Sequence, residues 1–488
     1  RLFKEKVMAA KTPSSGVNVK DLTFFALFSL TFGSMMGSGV FDIPQNIANR
    51  SGAVAVVLHW FIVAAGMIAL AWSFVYISNK RPDIKSGIYG YAKFGFGDYV
   101  GFTSAWGYYL NALLGNASYL IYIFATLGNF FPIFGHGPTA GATFPSFLCE
   151  SLLIWIVMAL IIRGVKEASI VNIMITTVKL MALASLILVF IYGFKTEIFA
   201  KNMATHDLHL GSMMDQIKAT MLVTVWDFLG IEAACIYAIY AKSMKDVGRA
   251  TMLAVIVVLI IDTLLSVLPF GIMSTSSVQA LTTPSTAGVM ASVIGPVSAN
   301  IIRFAVLICV VGALLAWNML ATNILFLSAS DRTMPKFLTK INSRGVPINA
   351  AIMAGLTLQF MMVCAYFSQA IYLNMIMIAT SLVLVPYLLA AMFSVKLIIT
   401  DQKIYVYELI KGSLSVAYAI WMIYAGGLKY LAISTLMYLI GIALFYKARK
   451  EDKRKMFENK FEIALCSTIV ILAFVCGYCW YTGILVLD

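Results

Sequence analysis

Charge is what this sequence lacks. Only 12% of its 488 residues are Asp, Glu, Lys or Arg, whereas 61% are hydrophobic; an ordinary water-soluble domain carries about 25% charged residues. The shortfall excludes a soluble globular protein and points to lipid as the solvent. Histidine is scarcer still, with four in the whole chain. Two of them, His206 and His209, stand either side of Asp207 in a polar connection that reads as a solvated loop rather than a metal site. An intramembrane enzyme gathers His, Asp or Ser at one level of the bilayer, and four histidines, mostly near span ends or outside the spans, do not provide that. The seven cysteines are scattered through apolar segments, so neither a disulfide framework nor a zinc set is expected. Cys476 and Cys479 form a C-x-x-C, but within a lipid-type helix rather than the fold context of a redox motif. No metal and no cofactor is expected.

What the chain has instead is apolar length. Windows of roughly 20 apolar residues recur throughout, the length a helix needs to cross a hydrocarbon core about 30 Å thick. In lipid each backbone polar group must be satisfied within its own segment, so the spans are helices and the fold class is all-α integral membrane. Thirteen spans are read near 22–50, 53–78, 99–130, 147–163, 170–193, 213–241, 249–272, 297–327, 348–367, 372–398, 407–427, 428–447 and 463–485, the last being the least defined, with a hairpin or interfacial helix as its alternative. No cleavable leader is expected, because the first apolar span is interrupted and runs on into others.

The net charge of +13 is spread out, not gathered into a nucleic-acid patch. Of the 35 Lys and Arg, 28 fall on alternate connections: 1–21, 79–98, 163–166, 241–249, 328–344, 396–411 and 447–460. The positive-inside rule then places the N-terminal segment 1–21 in the cytoplasm and the chain in a cell (inner) membrane. The bilayer is the one macroscopic partner expected, and nucleic acid is not.

Two spans are broken by glycine. The first reads Thr31-Phe32-Gly33-Ser34-Met35-Met36-Gly37-Ser38-Gly39-Val40, and the sixth Thr224-Val225-Trp226-Asp227-Phe228-Leu229-Gly230-Ile231-Glu232. Irregular backbone at membrane depth is tolerated only where it lines a cavity or is buried in protein. The two breaks lie five spans apart, the offset of an inverted repeat of five helices. Residues 22–193 and 213–398 are then the two halves, and 407–488 the accessory helices. An unwound turn leaves positively polarised amides for a substrate carboxylate, and facing carbonyl ends for a cation. Close helix packing through small residues is the alternative use of those glycines.

Ionisable groups inside a bilayer are costly and so count as functional candidates. Asp227 and Glu232 bracket the sixth-span break, and Asp227 follows Trp226; a carboxylate beside an indole is a receptor for an ammonium or guanidinium group. Lys179 lies deep in span 5, and Asp262 in the middle of span 7, where structural pairing is the simpler reading for the latter. Asn116 in span 3 and Trp317 in span 8 are polar groups deep in the bundle that need partners.

These residues carry a family resemblance. Gly33-Ser34-Met35-Met36-Gly37-Ser38-Gly39-Val40-Phe41 with Pro44-Gln45-Asn46, Ser86-Gly87-Ile88-Tyr89-Gly90-Tyr91 with Phe96-Gly97, Trp226 through Glu232, and Val385-Pro386-Tyr387 together resemble the amino acid/polyamine/organocation superfamily, and within it the basic amino acid/polyamine antiporters. The resemblance covers about residues 20–400. It implies two inverted five-helix repeats working by alternating access. In the arginine/agmatine type the substrate carboxylate binds the unwound first helix, which maps to Met36, Ser38 and Gly39. The covering tryptophan maps to Trp226, with Ile231 in the same signature, and further contacts map to Asn116 and Trp317. The gating and pH-sensing trio maps to Glu232, Tyr108 and Tyr387. Lys179 resembles a helix 5 lysine whose ammonium replaces a sodium ion in proton-linked relatives, which implies sodium independence. Asp227 departs from the family pattern, where that position is small or apolar; an extra carboxylate there favours a cationic ligand.

The expected function is exchange of arginine, lysine, ornithine or a derived amine, with proton-coupled symport as the alternative coupling. The expected partners are a small cationic amino acid or amine and, in the second reading, protons. A monomer and a homodimer both fit.

Overall fold

The structure, a computed structural model, describes residues 22–84, 86–164, 168–204, 210–368 and 372–482. The segment 1–21, His206, His209 and Asp488 lie outside the described residues. Helices account for the architecture, and no strand occurs among the described residues.

Among the described residues, twelve helices are long and apolar enough to cross a membrane. The sixth span read from the sequence is broken into Met213–Asp227, Ala233–Ile236 and the 3-10 turn Tyr237–Tyr240, pieces individually too short to qualify. The first span is likewise two helices, Phe24–Met35 and Gly39–Ala48. The remainder are span 2 (Ala53–Lys80), span 3 (Asp98–Gly128), span 4 (Phe144–Arg163), span 5 (Ala168–Gly193), span 7 (Met244–Val267), span 8 (Pro296–Ser330), span 9 (Ile348–Ser368), span 10 (Tyr372–Ile399), span 11 (Val406–Ala425), span 12 (Leu428–Glu451) and span 13 (Lys460–Tyr481). The thirteenth is therefore a full helix of 22 residues, long enough to span.

Burial sorts these helices by role. In span 3 the apolar window is 94% buried, whereas in span 13 it is 22% buried, so span 3 is the central post and span 13 lies at the periphery. Span 3 packs against spans 8 and 10 and carries Tyr99, Tyr108, Tyr109 and Tyr122, all fully enclosed. Span 4 presents Leu148, Leu152, Ile156 and Leu160 outward, the apolar surface a bilayer requires.

Several connections are more structured than the sequence suggests. Between spans 2 and 3 the stretch Gly87–Phe96 is a helix with most of its side chains buried, not an open loop. Between spans 7 and 8 two short helices, Thr275–Gln279 and Ser285–Ile294, form a cap tied to the second half of span 1. Asp42 accepts from the Ser285 amide at 2.5 Å and from the Thr283 hydroxyl at 2.8 Å, while Thr286 donates to the Phe41 carbonyl at 2.9 Å. Gln279 donates to the Ala48 carbonyl at 2.9 Å. The half-helix and this cap are thus one hydrogen-bonded unit, because a short helix start needs acceptors for its free amides.

Ion pairs join the basic connections into one layer. Lys80 pairs with Asp401, Arg332 and Lys336 with Asp452, and Arg449 with both Asp98 and Glu458. Arg449 is 1% exposed and also donates to the Lys455 carbonyl. Glu462, at the start of span 13, accepts from the amides of Tyr99 and Glu458. The carboxylate caps the N-terminus of span 3, where the helix dipole favours negative charge.

Candidate functional site

The two helix breaks meet. Ser34 and Gly230 touch directly, with the Ser34 hydroxyl 3.3 Å from the Gly230 carbonyl oxygen and 2.8 Å from the Thr31 carbonyl oxygen. Gly230 has φ +105°, a conformation side chains rarely adopt, and an added Cβ would stand 2.5 Å from the Ser34 hydroxyl. The glycine is therefore required twice over, by backbone conformation and by space.

In span 1 the ordered ladder stops at Met36, whose amide bonds Phe32, and restarts with Phe41 bonding Ser38. Side chains from other helices take up carbonyls released in between. The Lys179 ammonium, 1% exposed, donates to the Gly33 carbonyl at 3.0 Å and also to that of Met36. The Trp317 indole donates to the Ser34 carbonyl at 3.1 Å, and its ring lies 5.9 Å from that of Tyr108. Ser38 is the buried N-cap residue of the second half-helix, and Gly39 opens it. The amides of Gly39 and Val40 precede the first acceptor of their own helix and carry the positive end of its dipole.

In span 6 the break runs from Phe228 to Glu232, and Ile231 is fully buried within it. Trp226 packs against Gly115 of span 3, where a Cβ would lie 2.8 Å from the indole, and its ring sits 5.8 Å from that of Tyr119. Asn116, adjacent to Gly115, is fully buried with neither amide atom hydrogen-bonded. Asp227 faces span 1: a Cβ on Gly39 would meet its carboxylate oxygen at 1.8 Å. The three groups expected as a trio are brought together. The Tyr387 hydroxyl donates to Glu232 Oε2 at 2.8 Å, and the Tyr108 hydroxyl faces the same carboxylate in a looser contact.

Two features were missed by sequence reasoning. His59 in span 2 is fully buried and bridges Thr224 at 2.8 Å and Thr220 at 3.0 Å, fastening span 2 to the first half of span 6. A lone histidine in an apolar span offers no sequence signal for that bridge. Asp262, read as a mid-span residue awaiting a structural partner, has none: both of its oxygens, like both of Asp227, are buried without a hydrogen bond. Among the described residues no group of three or more His, Cys, Asp or Glu is arranged to hold a metal ion.

The arrangement pairs unwound backbone, an aromatic wall and buried carboxylates at the centre of a membrane bundle, a place where a small polar solute can be bound without exposure to lipid. Comparison with known proteins agrees in kind. A family model described as amino acid permease matches residues 22–471. The chain is 40% identical to a Pseudomonas aeruginosa protein named arginine/ornithine antiporter, over 96% of this chain and 99% of that one. It is 35% identical to an arginine/agmatine antiporter of Chlamydia pneumoniae, over 98% and 99% of the two chains. It is 32% identical to an L-lysine transport protein of Corynebacterium glutamicum, over 95% and 96%.

Proposed function

The chain belongs to the amino acid permease family, and from that premise we propose that it is a secondary transporter exchanging cationic amino acids of the arginine, lysine and ornithine type by alternating access. The observation that carries the reading is the meeting of the two broken spans at Ser34 and Gly230, deep in the bundle. It is supported by relatives of matching length whose names state antiport of arginine with ornithine or agmatine, or transport of lysine.

In this cycle the cargo carboxylate docks at the amide end of the half-helix beginning at Gly39, with Met36 and Ser38 beside it. Trp226 and Ile231 cover the cargo, Asn116 contacts it, and Asp227 and Trp317 address its side-chain cation. Glu232, Tyr108 and Tyr387 form the gate, and Lys179 replaces a bound inorganic cation at the span 1 break. Residues 22–193 and 213–398 move as inverted halves, and 407–488 brace them. The N-terminus lies in the cytoplasm and the protein in the cell (inner) membrane, a reading supported by the clustering of basic connections in one ion-paired layer. One chain carries the whole site, so a monomer and a homodimer both accommodate the cycle.

The test is competition. Proteoliposomes preloaded with arginine take up external labelled arginine, and unlabelled lysine, ornithine, histidine and leucine are added in turn. Inhibition by the basic amino acids and none by leucine is expected. Equal inhibition by leucine overturns the cationic selectivity, and uptake by unloaded vesicles driven by an inward proton gradient makes the protein a symporter.

A further inference from the structure

Two carboxylates from different helices stand together at the heart of this bundle without a counter-charge. Asp227, at the end of the first half of span 6, is 1% exposed, and Asp262, in span 7, is fully buried. All four of their oxygens lack a hydrogen-bond partner. Span 7 packs against both halves of span 1, whose Gly39 touches the Asp227 carboxylate, and the charge of Asp227 reaches Asp262 across that junction. Neither forms a salt bridge among the described residues, and the nearby Lys179 spends its ammonium on the Gly33 and Met36 carbonyls instead.

Isolated buried carboxylates are among the most unfavourable arrangements a fold can keep, and two side by side repel each other as well. A structural use relieves that cost with hydrogen bonds or an ion pair, and both are missing here. Two such acids are suited to receive positive charge. Location says from where: the Asp227 oxygen lies against Gly39, at the break where span 1 restarts, so the pair borders the unwound backbone. Only glycine leaves that room, since any Cβ would coincide with the carboxylate.

Charge accounting narrows the ligand further. The carboxylate and α-ammonium of an amino acid cancel, and the amide and carbonyl ends of broken helices suit those two groups for every amino acid alike. What Asp227 and Asp262 add is a demand for positive charge beyond the zwitterion. We propose that Asp227 and Asp262 together form a paired-carboxylate subsite that takes the side-chain cation of the cargo, a guanidinium or primary ammonium. The proposal rests on the transport reading above and assigns a binding role to Asp262, for which structural pairing was the simpler reading of the sequence. A guanidinium offers five N–H donors, enough to bond both carboxylates at once.

Arginine and citrulline test it, because citrulline keeps the shape of arginine and lacks its side-chain charge. Each is used to compete with labelled arginine in counterflow by wild type, Asp262→Asn, Asp227→Asn, the double variant and Asp262→Glu. Loss of a charge-assisted contact is expected to weaken arginine by at least about tenfold in each single variant, with citrulline changed by less than about twofold. The double variant is expected to lose less than the product of the single losses, since the two acids serve one cation, and Asp262→Glu is expected to retain the preference for arginine. Equal weakening of arginine and citrulline makes the pair merely structural and overturns the proposal, as does arginine affinity that is unchanged. A sodium requirement present in wild type and abolished in Asp262→Asn also overturns it, since the pair then holds an inorganic ion. Where a variant does not yield monodisperse protein in detergent, Asp262→Glu and the other single variant decide. Wild-type protein that fails to exchange arginine at all overturns the transport reading itself, whereas lost discrimination confined to the variants leaves that reading intact.

Discussion

The Lys179 ammonium donates to the Gly33 carbonyl at 3.0 Å, reaching from span 5 into the place where span 1 stops being a helix. A fixed cation inside the bundle thus supports unwound backbone whose carbonyl oxygens have lost their helical donors. Replacing Lys179 by Met leaves the Gly33 and Met36 carbonyls without that donor, at about 1–3 kcal/mol for each buried acceptor. Exchange is expected to fall at least tenfold (on the order of that cost) in vesicles holding equal amounts of protein. Wild-type exchange is expected to be the same in sodium and in choline medium, and a sodium requirement contradicts the role given to this lysine.

Tyr387 and Tyr108 face one carboxylate but are not equivalent. Tyr387 makes the short bond to Glu232, at 2.8 Å, and Tyr108 the looser contact. A hydrogen bond to a charged group contributes about 1.5–3 kcal/mol, so Tyr387→Phe is expected to shift the balance between transport states by about tenfold or more. Tyr108→Phe removes the looser of the two contacts to this carboxylate and is expected to change this balance less. Steady-state exchange separates maximal rate from apparent affinity, and the prediction is a change carried mainly by the rate. Equal effects from the two variants count against it.

Gly230 and Gly427 both require positive φ, at +105° and +83°, yet only Gly230 lacks space for a Cβ. Gly230→Ala should therefore abolish exchange, because the new methyl meets Ser34 and separates the two breaks. Gly427→Ala carries the conformational cost alone, about 1–3 kcal/mol, and should lower thermal stability with exchange retained. Parallel melting curves and flux measurements check both; comparable flux in the two variants contradicts the contact.

Arg449 is the anchor of the basic layer, 1% exposed and paired with Asp98 at 2.7 Å and Glu458 at 2.8 Å. Breaking a buried pair by removing one partner costs about 3–5 kcal/mol. Arg449→Leu is expected to melt well below wild type in detergent, whereas Lys80→Ala, which removes an exposed pair with Asp401, should change stability by no more than about 1 kcal/mol.

Much of this was legible in the sequence because the bilayer imposes so narrow a grammar. Apolar runs mark thirteen spans, twelve of which are helices long and apolar enough to cross a membrane among the described residues, and the glycine-rich stretch Gly33 to Gly39 marks the first break at the residues where the helix ends and restarts. Span 6 was legible through Trp226 to Glu232 even though neither of its pieces is long enough to count as a span. Proximity was the part hidden from one dimension. Nothing local in Lys179 says that it bonds span 1 carbonyls, nor in Trp317 that its N–H is committed to Ser34. Asp262 is 35 positions beyond Asp227, and only the packing of span 7 against span 1 and span 6 brings its charge to bear there. The helix Gly87–Phe96 was obscured for another reason: its three glycines and short length read as a loop, and its burial beneath neighbouring spans is what fixes it.

The central claim is obligatory exchange of cationic amino acids, and counting both directions of flux in one preparation tests it most directly. Proteoliposomes are loaded with ornithine carrying one label and diluted into arginine carrying another. Ornithine leaving in step with arginine entering, molecule for molecule, and no ornithine leaving when the outside is free of amino acid, is the predicted result. Arginine entry that proceeds equally into vesicles without internal amino acid contradicts the account.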